Sequence, residues 1–119
     1  SNNYFVELSE ANEAILEIIK ELEKKPIIIK TLNIRVDTAR DLVFKLYNTT
    51  RSIINNAYMS EQLMVYANRY RYDKDANKIL NKAEIMFYKG NYEDSLKFVL
   101  DMLERYEPGI KDKVKSIES

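Results

Sequence analysis

The residues best equipped for chemistry lie in the stretch VYANRYRY, positions 65–72. Arg69 and Arg71 bring planar multi-donor forks, and Asn68 brings both a donor and an acceptor. Tyr66, Tyr70 and Tyr72 bring rings that stack and hydroxyls that stay wet. Three uses fit this mixture. A nucleic-acid grip would set Arg on phosphate and Tyr under bases. A protein-docking patch would use the same donors on a polar segment. The plainest use is the last turn of a helix, where cations match the dipole and boundary tyrosines cover the edge. Asp73 and Asp75 follow at once and no lysine cluster adjoins the stretch. Lys plus Arg equals Asp plus Glu at 19 each, which argues against a general polyanion surface. Nucleic acid is therefore not expected as a partner, and the other two readings stay open.

Other chemistry is quickly bounded. The 119 residues contain no His and no Cys. Ser-His and Cys-His catalysis, thiolate zinc sites and disulfides are thereby excluded. Glu93 and Asp94 read as first-turn carboxylates that suit a helix dipole, not as an acid–base pair. The lone KGN at 89–91 reads as a turn and not as a phosphate loop. No catalytic residue, cofactor or metal is expected. The absence of thiols fits a reducing compartment. The longest apolar run, PIII at 26–29, falls far short of the roughly 20 residues that span a bilayer. The chain opens on Ser1, which reads as a piece of something longer.

The elements that must position VYANRYRY follow from spacing. With only two Gly, two Pro and 32% charged residues, the composition is that of long, solvated helices. Tyr4, Leu8, Ala11, Ile15, Ile18 and Leu22 recur at 4,3 spacing and predict a first helix to about Lys24. Glu7, Glu10, Glu13, Glu17 and Glu21 are expected to solvate its outside. Pro26 stops it. Leu32, Val36, Ala39, Val43, Leu46, Thr50, Ile53, Ala57, Ser60, Met64 and Ala67 continue the spacing without a Gly or Pro. They predict one helix over 30–71, about 60 Å long. The turn at 73–77 offers Asp75 as an N-cap. Ala76, Ile79, Leu80, Ala83, Met86 and Phe87 predict a third helix. Gly90 ends it and Asn91 caps a fourth, which carries Leu96, Val99, Leu100 and Leu103.

Helix 1 is about half as long as helix 2, so folded back from Pro26 it reaches only to about Ser52. Something else must cover Ile53 to Ala67, and a hairpin of helices 3 and 4 is preferred over a broken rod. The expectation is an all-α antiparallel bundle with one very long central helix and a C-terminal helical hairpin. It forms one domain over 1–110, followed by a tail over 111–119 that frays. An upstream helix or a second copy, as a homo-dimer, is expected to complete the bundle around helix 1. The stretch 83–108 also resembles a single tetratricopeptide unit, a peptide-binding module. One unit alone builds no groove.

LNIRVDTARDLVFKLYNTT, YMSEQLMVYANRYR, LNKAEIMFYKGNYEDSL and YEPGI, in this order over about 26–110, resemble the C-terminal cytoplasmic part of the EzrA family of septation ring formation regulators. The resemblance implies spectrin-repeat-like bundles, a membrane anchor outside this chain, and a place on the cytoplasmic face of the membrane at the division septum. It implies FtsZ and wall-synthesis proteins as partners, with no membrane insertion by this fragment. It also implies a polar Gln-Asn-Arg patch near the C-terminal end. Asn68 and Arg69 match that patch, Val65 stands at its Gln position, and Gln62 one turn earlier is the substitute amide. Gln62, Val65, Asn68, Arg69 and Arg71 are the expected partner-binding residues. A structural spacer is the rival reading, distinguished by whether Asn68 and Arg69 are buried.

Overall fold

A computed structural model describes residues 2–118. The described chain is all-helical: α1 (Asn2–Glu23), α2 (Ile29–Ala67), α3 (Lys74–Tyr88), α4 (Tyr92–Tyr106) and α5 (Ile110–Glu118), with a 3-10 turn at Asn68–Tyr70 after α2. α2 runs 39 residues. The long helix thus ends four residues earlier than its periodicity predicts, because the chain tightens into the 3-10 turn. Two compact units divide the chain, residues 1–52 and 53–119.

The first unit contains α1 and the start of α2. Its buried apolar residues are all small: Ala11, Ala14 and Ala39. Ile15, Leu22, Val36 and Val43, expected on the seam, are exposed. Glu7 and Glu21, expected to solvate the outside, are buried. Two runs on α1 fit the same 4,3 spacing, and the structure selects Glu7, Ala11, Ala14, Ile18 and Glu21. This face shares Ala11 and Ile18 with the predicted one and is turned from it by roughly 55°. Glu21 gains from the change. Its Oε1 accepts from Lys24 Nζ at 2.8 Å and lies 4.0 Å from Arg35 Nε.

The second unit holds the larger core. Leu80, Val99, Met102 and Leu103 are fully buried there, with Ala67, Ala76 and Ala83 between them. α3 and α4 form the expected hairpin. Gly90 closes it at φ +84°, a conformation that favours glycine. Asn91 caps α4 by position without a side-chain bond. At the head of α3 the capping residue is Asp73 and not Asp75. Asp73 is extended, and its Oδ1 accepts from the Asp75 amide at 2.8 Å.

Residues 110–118 are helical where a frayed tail is expected. Ile110 and Val114, one turn apart, are both buried in the core. Gly109 makes the corner at φ +95°, and its amide donates to the Glu104 carboxylate at 2.9 and 3.0 Å. Two well-placed apolar residues and a satisfied corner are enough to hold this short helix.

A buried hydroxyl chain joins three helices of this unit. Ser60 on α2 donates to Ser95 Oγ at 2.7 Å, and Ser95 on α4 donates to the Ala83 carbonyl of α3 at 2.8 Å. Both serines are fully buried. Ser95→Ala strands the Ser60 hydroxyl and is expected to lower unfolding free energy by about 1–3 kcal/mol. Ser60→Ala leaves the bond to Ala83 intact and costs less. Urea unfolding of the two variants measures the order.

Candidate docking surface

The backbone sets the surface before any side chain does. The Arg71 amide donates to the Asn68 carbonyl at 3.1 Å, and the Asp73 amide to the Tyr70 carbonyl at 3.0 Å. These short-range bonds turn the chain out of α2 and deliver it to α3. They spread the polar residues 68–73 around a corner instead of stacking them on one helix face.

Two networks occupy that corner. In the first, Arg71 is the hub. Its Nε donates to Asn68 Oδ1 at 2.7 Å, and its Nη1 donates to Asn77 Oδ1 at 2.8 Å and Asn81 Oδ1 at 3.1 Å. Its Nη2 pairs with the Glu84 carboxylate. The guanidinium therefore holds the corner to three successive points of α3, at residues 77, 81 and 84.

In the second network Glu107 is the hub, at the α4–α5 corner. Tyr66 donates to its Oε1 and Oε2 at 2.6 and 2.7 Å, and Tyr70 donates to Oε2 at 2.6 Å. The Tyr70 and Tyr106 rings stack with centroids 4.6 Å apart. The Asp73 carboxylate beside Tyr106 raises that phenol above its ordinary value. Hydrogen bonds from the two phenols hold the Glu107 carboxyl below its ordinary range. The same bond to Glu107 carries the Tyr70 phenol up to about 12, with burial adding to it.

The signs give a pH dependence. Glu107's contribution is present above its ordinary value of 4.5 and is lost as pH falls through its depressed folded value. Tyr70's contribution is present below its ordinary value of 10.0 and is lost as pH rises through about 12. Alkaline titration followed by tyrosinate absorbance is expected to show a late component near 12. Glu107→Gln should bring that component toward 10.0.

Arg69 belongs to the second network's rim. Its guanidinium carbon lies 3.7 Å from the Tyr66 ring centroid, and its Nε donates to the Tyr66 carbonyl at 3.1 Å. Its Nη1 and Nη2 groups bond nothing else among the described residues. The side chain is thus fixed in place with its terminal donors free.

The expected site residues therefore divide. Gln62, Val65, Asn68 and Arg69 are exposed, and Val65 keeps 64% of its surface. Arg71 is half-buried and spent on internal bonds, so its geometry is that of an organiser. Sequence reasoning missed Asn77, Asn81 and Glu84, whose i, i+4, i+7 spacing was a readable signal of one helix face. It also missed Glu107 as a partner of Tyr66 and Tyr70. Among the described residues no cluster of carboxylates could hold a metal ion, and no helix is long and apolar enough to cross a membrane.

With helices alone among the described residues and a polar, solvent-facing corner, the chain is an all-α protein in class. Comparison with known proteins narrows the class. Residues 1–117 match the family described as "Septation ring formation regulator, EzrA". Among similar curated proteins is the septation ring formation regulator EzrA of Geobacillus kaustophilus (strain HTA426), 32% identical over 115 residues. That alignment covers 96% of this chain and 20% of the relative. The EzrA of Streptococcus sanguinis (strain SK36) is 31% identical over 101 residues, 83% of this chain and 18% of the relative. The EzrA of Staphylococcus aureus (strain N315) is 26% identical over 108 residues, 90% and 19% respectively. The chain belongs to the EzrA family of septation ring formation regulators. It spans about a fifth of the length of these relatives. No solved structure matches it.

Proposed function

We propose that this chain is a docking segment of a cell-division regulator, and that the corner around Asn68 and Arg69 binds proteins of the division ring, FtsZ first among them. The observation that carries the reading is Arg69. Its guanidinium is fixed over the Tyr66 ring while its terminal donors stay open to solvent. A side chain held this way has lost little further entropy when a partner carboxylate or carbonyl arrives. Asn68 sits beside it, exposed, with its Oδ1 committed to Arg71 and its Nδ2 available. Val65 and Gln62 lie about one and two turns back along α2 and extend the surface.

Wall-synthesis proteins are partners of the same kind on this reading, and the mechanism is binding without chemistry. A membrane anchor outside this chain would bring the surface to the cytoplasmic face of the septum. The rival spacer reading needs Asn68 and Arg69 to be buried pins, and both are exposed. The test is the double substitution Asn68→Ala with Arg69→Ala. Loss of FtsZ pull-down and of septal localisation is expected, with the circular dichroism spectrum unchanged. Undiminished binding and localisation in a folded double variant would remove the proposal.

A further inference from the structure

We infer that the α1–α2 hairpin of residues 1–52 pairs with the same hairpin of a second copy of this chain, with α1 of each copy lying against α2 of the other. The inference does not depend on the docking role of the corner.

On α1, Ile15, Ile19 and Leu22 stand at i, i+4 and i+7 and are all exposed. On α2, Val36, Val43 and Tyr47 form a second exposed stripe at i, i+7 and i+11. The two helices are antiparallel. Glu21 lies 4.0 Å from Arg35, and Ala14 and Leu42 line one depression further along. Each stripe stands about a quarter turn past the face that packs within the hairpin, marked by Ala14 on α1 and Ala39 on α2. The rotation has the same sense along both sequences. Between antiparallel helices, equal rotations bring both stripes to one side. The hairpin therefore presents an apolar face two helices wide, and only alanines are buried among the apolar residues of this unit.

Area and charge argue for a second copy as the cover. The chain exposes 8637 Å², where a compact monomer of its 14.1 kDa exposes about 6,700 Å². The excess of roughly 1,900 Å² exceeds the roughly 1,000 Å² that each partner of a stable homodimer gives up. The helices carry opposite charge. α1 has six glutamates and one lysine, whereas residues 29–52 of α2 have five basic and two acidic side chains. A two-fold axis parallel to the helices sets each acidic α1 on the basic α2 of the other copy, twice over, with every neighbour antiparallel. The alternative two-fold sets α1 on α1 and α2 on α2, like charge on like. An unrelated helix would need an apolar stripe and a charge pattern of its own to fit here, and a second copy already carries both.

The test is sedimentation equilibrium of the intact chain at about 100 μM, a concentration that fills an interface with a Kd near 10 μM. A mass twice 14.1 kDa is expected. Ile15→Asp with Val43→Asp buries two carboxylates in the interface and should weaken association about tenfold or more. Val6→Asp with Ile34→Asp makes the same change at exposed apolar positions on the opposite side of the hairpin and should leave it within about twofold. All four positions are exposed in a single copy, so the circular dichroism spectrum should not change. The chain has no cysteine, so introduced thiols report the pairing cleanly. Ile19→Cys protein mixed with Val36→Cys protein is expected to form the mixed disulfide in preference to either symmetric one. A monomer at this concentration would overturn the inference and leave the face to another segment or partner. Equal weakening by the two Asp pairs, or Ile19→Cys linking chiefly to itself, would overturn it as well.

Discussion

Arg71→Ala is expected to lower the unfolding free energy by about 1.5–3 kcal/mol, a large effect for a residue outside the apolar core. Four of the five guanidinium N–H groups are engaged: one by Asn68, two by Asn77 and Asn81, one by Glu84. Removing them frees the 3-10 turn from α3 and leaves Glu84 without its counter-charge. Arg71→Lys should recover only a small part, because a single ammonium cannot reach three carboxamides and a carboxylate from one plane. Partner binding is expected to fall as well, through loss of the fixed Asn68 and α3 geometry. The readout that separates this from direct contact is the Asn77 and Asn81 side-chain amide resonances, which should broaden or move in Arg71→Ala without any partner present.

Leu103→Ala should cost about 3 kcal/mol. Leu103 is fully buried among Leu80, Val99 and Met102, and its carbonyl accepts the Glu107 amide at 2.7 Å. The cavity would open directly beneath the corner that holds Tyr66 and Tyr70. Phe44→Ala, by contrast, removes more apolar volume from a side chain that is 61% exposed, and is expected to change stability by less than about 0.5 kcal/mol. Urea unfolding of the two variants measures the difference. Equal losses would mean that residues 1–52 carry a core as effective as that of residues 53–119.

Much of the fold was legible because helix periodicity is a local signal. The unbroken 4,3 run through α2 and the glycine at 90 were enough to predict a long helix and a hairpin. α1 was misread because two runs fit it equally well. Only the tertiary choice of Ala14 and Glu21 over Ile15 and Leu22 decides between them. α5 was missed because just Ile110 and Val114 mark it, and their value depends on a core built by other helices. The site was half legible. The exposure of Asn68 and Arg69 could be read, because a helix end with polar donors is visible in sequence. The role of Arg71 could not, since its partners lie across a turn whose geometry the 3-10 segment sets. Glu107 lies 41 residues from Tyr66 and 37 from Tyr70, and no local spacing announces a pairing over that distance.

The central claim is that the α2–α3 corner is where a division protein docks. The most direct measurement is the amide NMR spectrum of the full chain titrated with FtsZ. Shifts concentrated at Asn68 and Arg69, and absent from the Asn68→Ala, Arg69→Ala variant, are the predicted result. Shifts confined to residues 1–52, or no shifts at saturating partner, would contradict it.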